Sequence, residues 1–168
     1  VRQSNRANSG GEIRERIEDG FQAHVYDVNL TVRKDGFWNH PKNVSVVVDR
    51  QKDAILADTI GEAHRLFDKH KGNPLQLAED LARFSKQKMM PSRWSEDSLD
   101  EANRAFLAEA KGRRVLLGEF IDRAAKKKGG GVCIEQAILF KVLGDEFGLD
   151  TSLVYGFYGT SGELARRQ

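Results

Sequence analysis

The sequence has 168 residues, 39% of them hydrophobic and 31% charged, which is ordinary for a domain with a buried core. Its 27 basic and 25 acidic side chains leave a net charge of only +2, too balanced to predict binding to nucleic acid. A single cysteine excludes an internal disulfide and a zinc site made of clustered cysteines.

Motifs that would indicate a membrane segment or a bound cofactor are absent from the sequence. No apolar run approaches the length of a membrane-spanning helix, and the first residues lack the apolar core of a signal peptide. Neither a dinucleotide-binding glycine fingerprint, nor a phosphate-binding loop, nor a zinc-protease motif occurs. We therefore expect no metal or cofactor, and neither a membrane nor nucleic acid among the partners.

The first 20 residues are predicted to be a flexible leader. Residues 1–12 are rich in Ser, Asn, Gly and Arg, and residues 12–18 predict a short charged helix that ends at Gly20. The chain begins with Val1 rather than methionine, so we expect it to be a segment of a longer protein. Residues 21–168 are then one domain, which suits their number.

Two strands are predicted after the leader. A two-residue periodicity predicts the first strand over residues 22–33, and Asp35-Gly36 is a typical hairpin turn signal. Residues 44–48 are nearly all valine, which predicts a central strand that is buried on both faces. Asp49 stands at the end of this second strand.

Apolar residues at intervals of three and four predict a series of helices. The first covers residues 53–71, and a Gly-Asn-Pro sequence stops it and starts a second helix that ends near Lys88. A third helix has a capping signature at its start and covers about residues 98–111. A fourth is predicted over residues 115–125.

The histidines of the first predicted helix do not indicate a metal site. His64 and His70 are six residues apart, so they lie on different faces of a helix, and we expect them to be surface residues. His40 lies in an Asn-His-Pro sequence that is typical of a loop.

Three glycines at residues 129–131 precede the only cysteine, Cys133. Residues 132–147 are apolar on most of their circumference, which predicts a buried central helix against a sheet of residues 22–33, 43–49 and 151–158. The first turn of a helix has unpaired N–H groups and partial positive charge, so it favours a thiolate and could stabilise an oxyanion. The alternative is that Cys133 is simply a small buried hydrophobic residue.

Two segments resemble a known superfamily. Gly-Val-Cys at residues 131–133, the apolar residues 137–143 and the strand-like residues 152–156 resemble the nucleophile helix and following strand of the transglutaminase-like superfamily, which are papain-like enzymes with a Cys-His-Asp triad. In that superfamily the histidine and aspartate follow the cysteine, whereas no histidine follows Cys133 here. Residues 23–49 are similar to the superfamily's histidine and aspartate strands, so the two halves stand in swapped order, as after a circular permutation.

The resemblance implies an α+β, papain-like fold in which the nucleophile helix packs on a small antiparallel sheet. It implies Cys133 as the nucleophile, His24 as the general base and acid, and Asp49 as the residue that orients His24. His40 is a second candidate for the base and Asp27 a second candidate for the orienting residue. Asp49 could alternatively be a turn aspartate at the end of a strand.

The implied reaction is acyl transfer on a protein amide through a thioester. Water as the acceptor gives a protease or a glutamine deamidase, and an amine gives a transglutaminase; the sequence leaves this choice open. By analogy, we expect a bacterial toxin or effector domain, secreted or delivered within a longer protein, with a cytoplasmic site of action. Its partners would be a protein substrate that presents a glutamine or peptide amide, and an inhibitor or immunity protein.

A rival interpretation is a catalytically inactive relative that keeps the fold as a binding or regulatory module. The lack of a histidine after Cys133 favours it. If the chain is truncated rather than permuted, the histidine and the aspartate lie beyond Gln168. A hydrogen-bond distance between His24 and Cys133 would favour permutation instead.

Overall fold

The computed structural model describes residues 12–24, 45–90, 114–131 and 133–154, together with Ala102, Asn103, Phe106, Glu109 and Ala110. The side chains of Glu12, Ala23, His24 and Cys133 are outside this description. The described elements, in chain order, are β1 (Glu12–Ile13), β2 (Phe21–His24), β3 (Ser45–Val48), α1 (Ala54–Lys69), α2 (Pro74–Met89), β4 (Arg114–Leu116), α3 (Leu117–Ala125), α4 (Cys133–Glu146) and β5 (Leu153–Val154). This combination of helices and a small sheet confirms the predicted α+β class.

A three-stranded sheet is built around β3, all four residues of which are buried, as predicted for a central strand. β2 runs antiparallel to β3, with Phe21 opposite Val48 and His24 opposite Ser45. β4 lies on the other side of β3 and runs parallel to it. The two strands can be parallel because α1 and α2, which lie between them in the sequence, bring the chain back to the end of the sheet where β3 begins. The sheet is therefore mixed, where the resemblance implied an antiparallel one.

A separate two-stranded sheet joins the first and last described elements. Ile13 of β1 lies opposite Leu153 of β5, and the two strands are antiparallel. The predicted strand at residues 151–158 is described as far as β5, which thus pairs with β1 and not with β2, β3 or β4.

Residues 12–20 are part of the folded domain, which corrects the prediction that the leader extends to residue 20. Ile17 is 1% exposed, and its N–H group donates to the carboxylate of Asp145 at 2.9 Å. The carbonyl group of Arg14 accepts a hydrogen bond from Lys141, and Arg16 forms an ion pair with Glu146 at 3.1 Å. The short helix predicted over residues 12–18 does not form, because this segment pairs with β5 and with the end of α4 instead.

The first two helices agree with the prediction in extent and in the residues that begin them. Asp53 caps α1, since its Oδ1 atom accepts the N–H of Leu56 at 3.0 Å. Asn73 caps α2 in the same way, with Pro74 as the first helical residue. These side chains satisfy backbone N–H groups that a helix leaves unpaired at its start.

α3 begins later than the predicted helix over residues 115–125. Residues 114–116 pair with β3 as a strand, and the helix starts at Leu117. The second carboxylate oxygen of Asp53 accepts the N–H of Gly118 at 2.7 Å, so one side chain caps α1 and also binds the start of α3. A Cβ atom on Gly118 would lie 2.0 Å from Asp53 Oδ1, which explains the glycine.

α4 is the central helix, as predicted, but its main partner is α2. It packs less extensively against α1, α3 and β5. Its buried apolar residues join those of β3, α1, α2 and α3 in one core, whose largest fully buried apolar members include Phe120, Leu56, Leu81, Met89, Ile138, Leu139 and Leu143. None of the helices in the described part of the chain has both the length and the apolar character that a bilayer span requires.

Candidate functional site

The glycine loop, residues 128–131, connects the end of α3 to the start of α4, and its three glycines are buried. The N–H of Gly131 donates to the carbonyl oxygen of Met89, the last residue of α2, at 2.9 Å. The carbonyl oxygen of Gly131 accepts the side-chain amide of Gln136 at 2.9 Å. The loop is therefore attached both to α2 and to the first turns of α4.

Asn103 binds the same loop from another direction. Its side-chain Nδ2 donates to the carbonyl oxygen of Gly130 at 2.7 Å, and its Oδ1 accepts the N–H of Gly130 at 3.3 Å. Asn103 is 2% exposed. One side chain thus pairs with both polar groups of one glycine. Asn103 is absent from the sequence-based candidates, and its only local signal is that asparagine is unfavourable within a predicted helix.

Arg123 of α3 links the glycine loop to the segment that carries Asn103. Its guanidinium lies 4.1 Å from the ring centroid of Phe106 and donates to the carbonyl oxygens of Ala102 and Lys128. Burial lowers the pKa of Arg123, whereas the negative charges of Glu109 and Glu119 raise it. The guanidinium group nevertheless keeps its charge, because arginine is not deprotonated in proteins. The loop is therefore fixed at its start as well as at its centre.

Close packing explains why the loop consists of glycines. A Cβ atom on Gly130 would lie 2.0 Å from the carbonyl oxygen of Met89, and one on Gly131 would lie 2.7 Å from both Glu135 Cβ and Met89 Sδ. Gly130 also has a φ angle of +159°, which L side chains rarely adopt. No side chain fits at these positions without displacing the end of α2.

Cys133 is the first residue of α4, a 14-residue helix. N–H groups in the first turn of a helix have no acceptor within the helix, and the helix dipole adds partial positive charge there. The N–H groups of Gly130 and Gly131 already donate to Asn103 and Met89. Donors to an oxyanion at this end of α4 would therefore come from the first turn of the helix and not from these two glycines.

The structure does not bring His24 and Asp49 together. His24 is the last residue of β2 and lies opposite Ser45, whereas Asp49 follows Val48 at the other end of β3. Asp49 is four positions beyond Ser45 along the chain, which corresponds to about 13 Å of strand. Asp49 is therefore not placed to orient His24.

Asp49 instead stabilises the turn between β3 and α1, which was the alternative interpretation of this residue. It is 7% exposed, and its carboxylate accepts the N–H groups of Gln51 at 3.2 Å and Lys52 at 3.1 Å. The hydrogen bond from the Lys52 side chain, 3.0 Å away, is the main cause that lowers the pKa of Asp49. Its neighbour Arg50 contacts Glu146, at the end of α4 opposite Cys133.

The two helix histidines have partners away from the start of α4. His70 Nε2 lies 2.7 Å from Asp80 Oδ2, and the edge of the His64 ring faces Phe147 at a centroid distance of 5.0 Å. His40 and Asp27 lie outside the described residues. In the described ranges, no group of three or more His, Cys, Asp or Glu residues could hold a metal ion.

The pair of His70 and Asp80 predicts a pH dependence of stability. The hydrogen bond from His70 is the main cause that lowers the pKa of Asp80 below its ordinary value of 3.8. A carboxyl group with a depressed pKa in the folded state stabilises the fold above its unfolded-state pKa, and this stabilisation is lost as the pH falls through the folded-state pKa. We expect Asp80→Asn to lower the melting temperature at neutral pH, and the difference from the native protein to shrink below pH 3.8.

Glu79→Gln is the matched control for this measurement. Glu79 is the neighbour of Asp80 in α2, but its ion pair with Arg83 is longer, 3.6 Å, and both side chains are more than half exposed. At neutral pH the control should change the melting temperature less than Asp80→Asn does. A difference between Asp80→Asn and the native protein that stays constant from neutral to acidic pH would contradict the linkage.

No curated protein and no solved structure matches the sequence. The model of the family described as EDR1/CTR1/ARMC3, peptidase-like, matches residues 34–166. The match includes Asp49 and Cys133, whereas His24 lies before it, so it lends no support to a permuted order. Since the matched residues make up more than half of the sequence, the chain belongs to the EDR1/CTR1/ARMC3 peptidase-like family.

Proposed function

We propose that this chain is a cysteine-dependent hydrolase or acyl transferase that acts on protein amides, with Cys133 as the nucleophile. The observation that carries the proposal is the position of Cys133 as first residue of α4, two positions after a glycine loop that is held by hydrogen bonds. A helix start favours the thiolate of a cysteine in its first turn, and a fixed loop before the helix keeps residue 133 at that helix start. The peptidase-like description of the family supports the same reaction class.

In the proposed reaction the thiolate of Cys133 attacks the carbonyl carbon of an amide, and a carbon–sulfur bond forms. The first-turn N–H groups of α4 stabilise the negative oxygen of the tetrahedral intermediate. The carbon–nitrogen bond then breaks, and the leaving amine takes a proton from a general acid. Water or a second amine then attacks the thioester carbon and gives a proton to the general base, the carbon–sulfur bond breaks, and Cys133 leaves as a thiolate.

The proposal includes His24 as the general base and acid, on the strength of the transglutaminase-like resemblance. It does not include Asp49, because the carboxylate of Asp49 binds the turn before α1. Protease, glutamine deamidase and transglutaminase differ only in the bond attacked and in the acceptor. A protein substrate, an inhibitor protein and action in the cytoplasm as a delivered effector domain belong to the same proposal, by analogy.

The pH dependence of Cys133 alkylation by iodoacetamide tests the nucleophile and the base separately. An activated thiolate predicts a rate that rises with an inflection well below the ordinary thiol pKa of about 8.5. His24→Ala should move this inflection towards the ordinary value. His64→Ala is the control, since His64 is an exposed residue of α1 with no part in the proposal.

The outcomes of this test separate the alternatives. A low inflection that does not change in His24→Ala would support Cys133 and exclude His24 as its partner. An inflection near the ordinary value in the native protein would contradict the proposed function.

A non-catalytic binding or regulatory module is the second candidate function. One observation favours it: the carboxylate expected to complete a triad is bound to a turn. An ordinary thiol in the alkylation experiment would support this candidate.

A further inference from the structure

We propose that Asn103 is a positioning residue: it holds Gly130 in place and, through Gly130, the start of α4 where Cys133 stands. The inference deepens the proposed function and rests on it where Cys133 reactivity is concerned. The anchoring of the glycine loop itself does not depend on that function.

The side-chain amide of Asn103 pairs with the backbone N–H and carbonyl groups of Gly130, as one peptide group would pair with another. The side-chain amide donates to the carbonyl oxygen of Gly130 at 2.7 Å and accepts its N–H at 3.3 Å. Both polar groups of Gly130 are buried with the residue, so losing Asn103 would leave a donor and an acceptor without a partner. A buried loop with two unpaired groups moves or admits water.

Contacts on both sides of the loop indicate that Asn103 is itself held in place. Arg123 donates to the carbonyl oxygen of Ala102, the residue before Asn103, and to that of Lys128 at the start of the loop. A Cβ atom on Gly129 would lie 2.7 Å from Asn103 Oδ1 and 2.8 Å from Arg123 Nη2, so the loop lies directly against both side chains. Asn103 therefore acts as a fixed support for the loop.

The position of the loop matters for the cysteine because only Val132 separates it from Cys133. Stabilisation of a thiolate by a helix start depends on distance and falls off beyond the first turn. If Gly130 moves, Cys133 and the N–H groups of the first turn lose their fixed arrangement. The thiol pKa would then rise towards its ordinary value.

Two variants test the inference. Asn103→Ala removes both hydrogen bonds, and Asn103→Asp keeps the size of the side chain and the acceptor but replaces the donor to the Gly130 carbonyl group. Ser85→Ala is the matched control, because Ser85 is a buried polar residue of α2 whose hydroxyl has no partner among the described residues. It removes a buried hydroxyl group that forms no hydrogen bond to the loop.

Amide hydrogen exchange at Gly130 and Gly131 is the first measurement, and alkylation of Cys133 at about pH 6.5, below the ordinary thiol pKa, is the second. We expect exchange at both glycines to become at least about tenfold faster in both Asn103 variants while the core of α4 stays protected. We expect alkylation to become about tenfold slower, equivalent to one unit in the thiol pKa. Ser85→Ala should match the native protein in both measurements.

If the amides of Gly130 and Gly131 exchange no faster in the Asn103 variants than in Ser85→Ala, the inference is overturned. If these amides exchange faster but a reactive Cys133 is alkylated at an unchanged rate, the positioning role is overturned. Faster exchange together with an ordinary thiol in the native protein would contradict the proposed function and still support the anchoring of the loop. If neither variant folds, the native protein decides: a Gly130 amide as protected as the core of α4 supports the inference, and one that exchanges like an exposed loop overturns it.

Discussion

Replacing Lys141 by methionine should lower the free energy of unfolding by about 3–5 kcal/mol, because it leaves a buried carboxylate without its counter-charge. Lys141 and Asp145 form an ion pair within α4, and their side chains are only 1% and 7% exposed. The ammonium group also donates to the carbonyl oxygen of Arg14. Methionine has a similar length and helix propensity, so the change tests the charge and not the helix. Urea denaturation at neutral pH measures the effect.

Lys126→Met is the control for this prediction. Lys126, the residue that caps the end of α3, pairs with Asp122 of α3 at the same four-residue spacing, but the two side chains are 59% and 34% exposed. The control should lose only about 0.3–0.5 kcal/mol, the usual contribution of such a pair at a helix surface. Equal losses in the two variants would show that burial of the Lys141 pair has no energetic consequence.

Replacing Gly130 by alanine should lower the free energy of unfolding by about 3 kcal/mol, the sum of a steric clash and an unfavourable backbone angle. The added methyl group would lie 2.0 Å from the carbonyl oxygen of Met89, at a φ angle of +159°. The obstacle is backbone, which cannot rotate away as a flexible side chain could. The loop or the end of α2 must shift, so alkylation of Cys133 should also slow. Thermal and urea denaturation measure the stability, and the alkylation rate at mildly acidic pH measures the second effect.

Gly61→Ala is the matched glycine control. Gly61 lies at an exposed position within α1, and a Cβ atom there would have nothing within 4 Å. Alanine is the better helix former by about 1 kcal/mol, so this variant should be more stable than the native protein. If Gly130→Ala were as stable as Gly61→Ala, the close approach of the glycine loop to Met89 would be wrong.

Several parts of the fold follow from local sequence signals. The spacing of apolar residues and the Gly-Asn-Pro sequence between the two helices predict α1 and α2, and both helices are confirmed. The valines of β3 predict a buried central strand, which is also confirmed. These predictions succeed because periodicity and caps act over a few residues and need no knowledge of distant contacts.

The strands β4 and β5 and the N-terminal segment depended on contacts that are distant in the sequence. β4 is a short strand because residues 114–116 pair with β3, and β5 pairs with β1. The buried Lys141 and Asp145 pair binds residues 14 and 17, so a segment with the composition of a flexible leader is held in the fold. Composition describes the average of such a segment and does not predict the buried side chain of Ile17 or the hydrogen bonds that fix the segment.

The candidate site also has some features that follow from local sequence and others that depend on tertiary contacts. The sequence by itself determined that the only cysteine follows three glycines and begins an apolar helix, since both features are local. Only the tertiary structure decided that Asp49 binds a turn, because strand register separates it from His24. It also decided that Asn103 supports the glycine loop, since Asn103 and Gly130 are 27 positions apart and no local pattern predicts their contact.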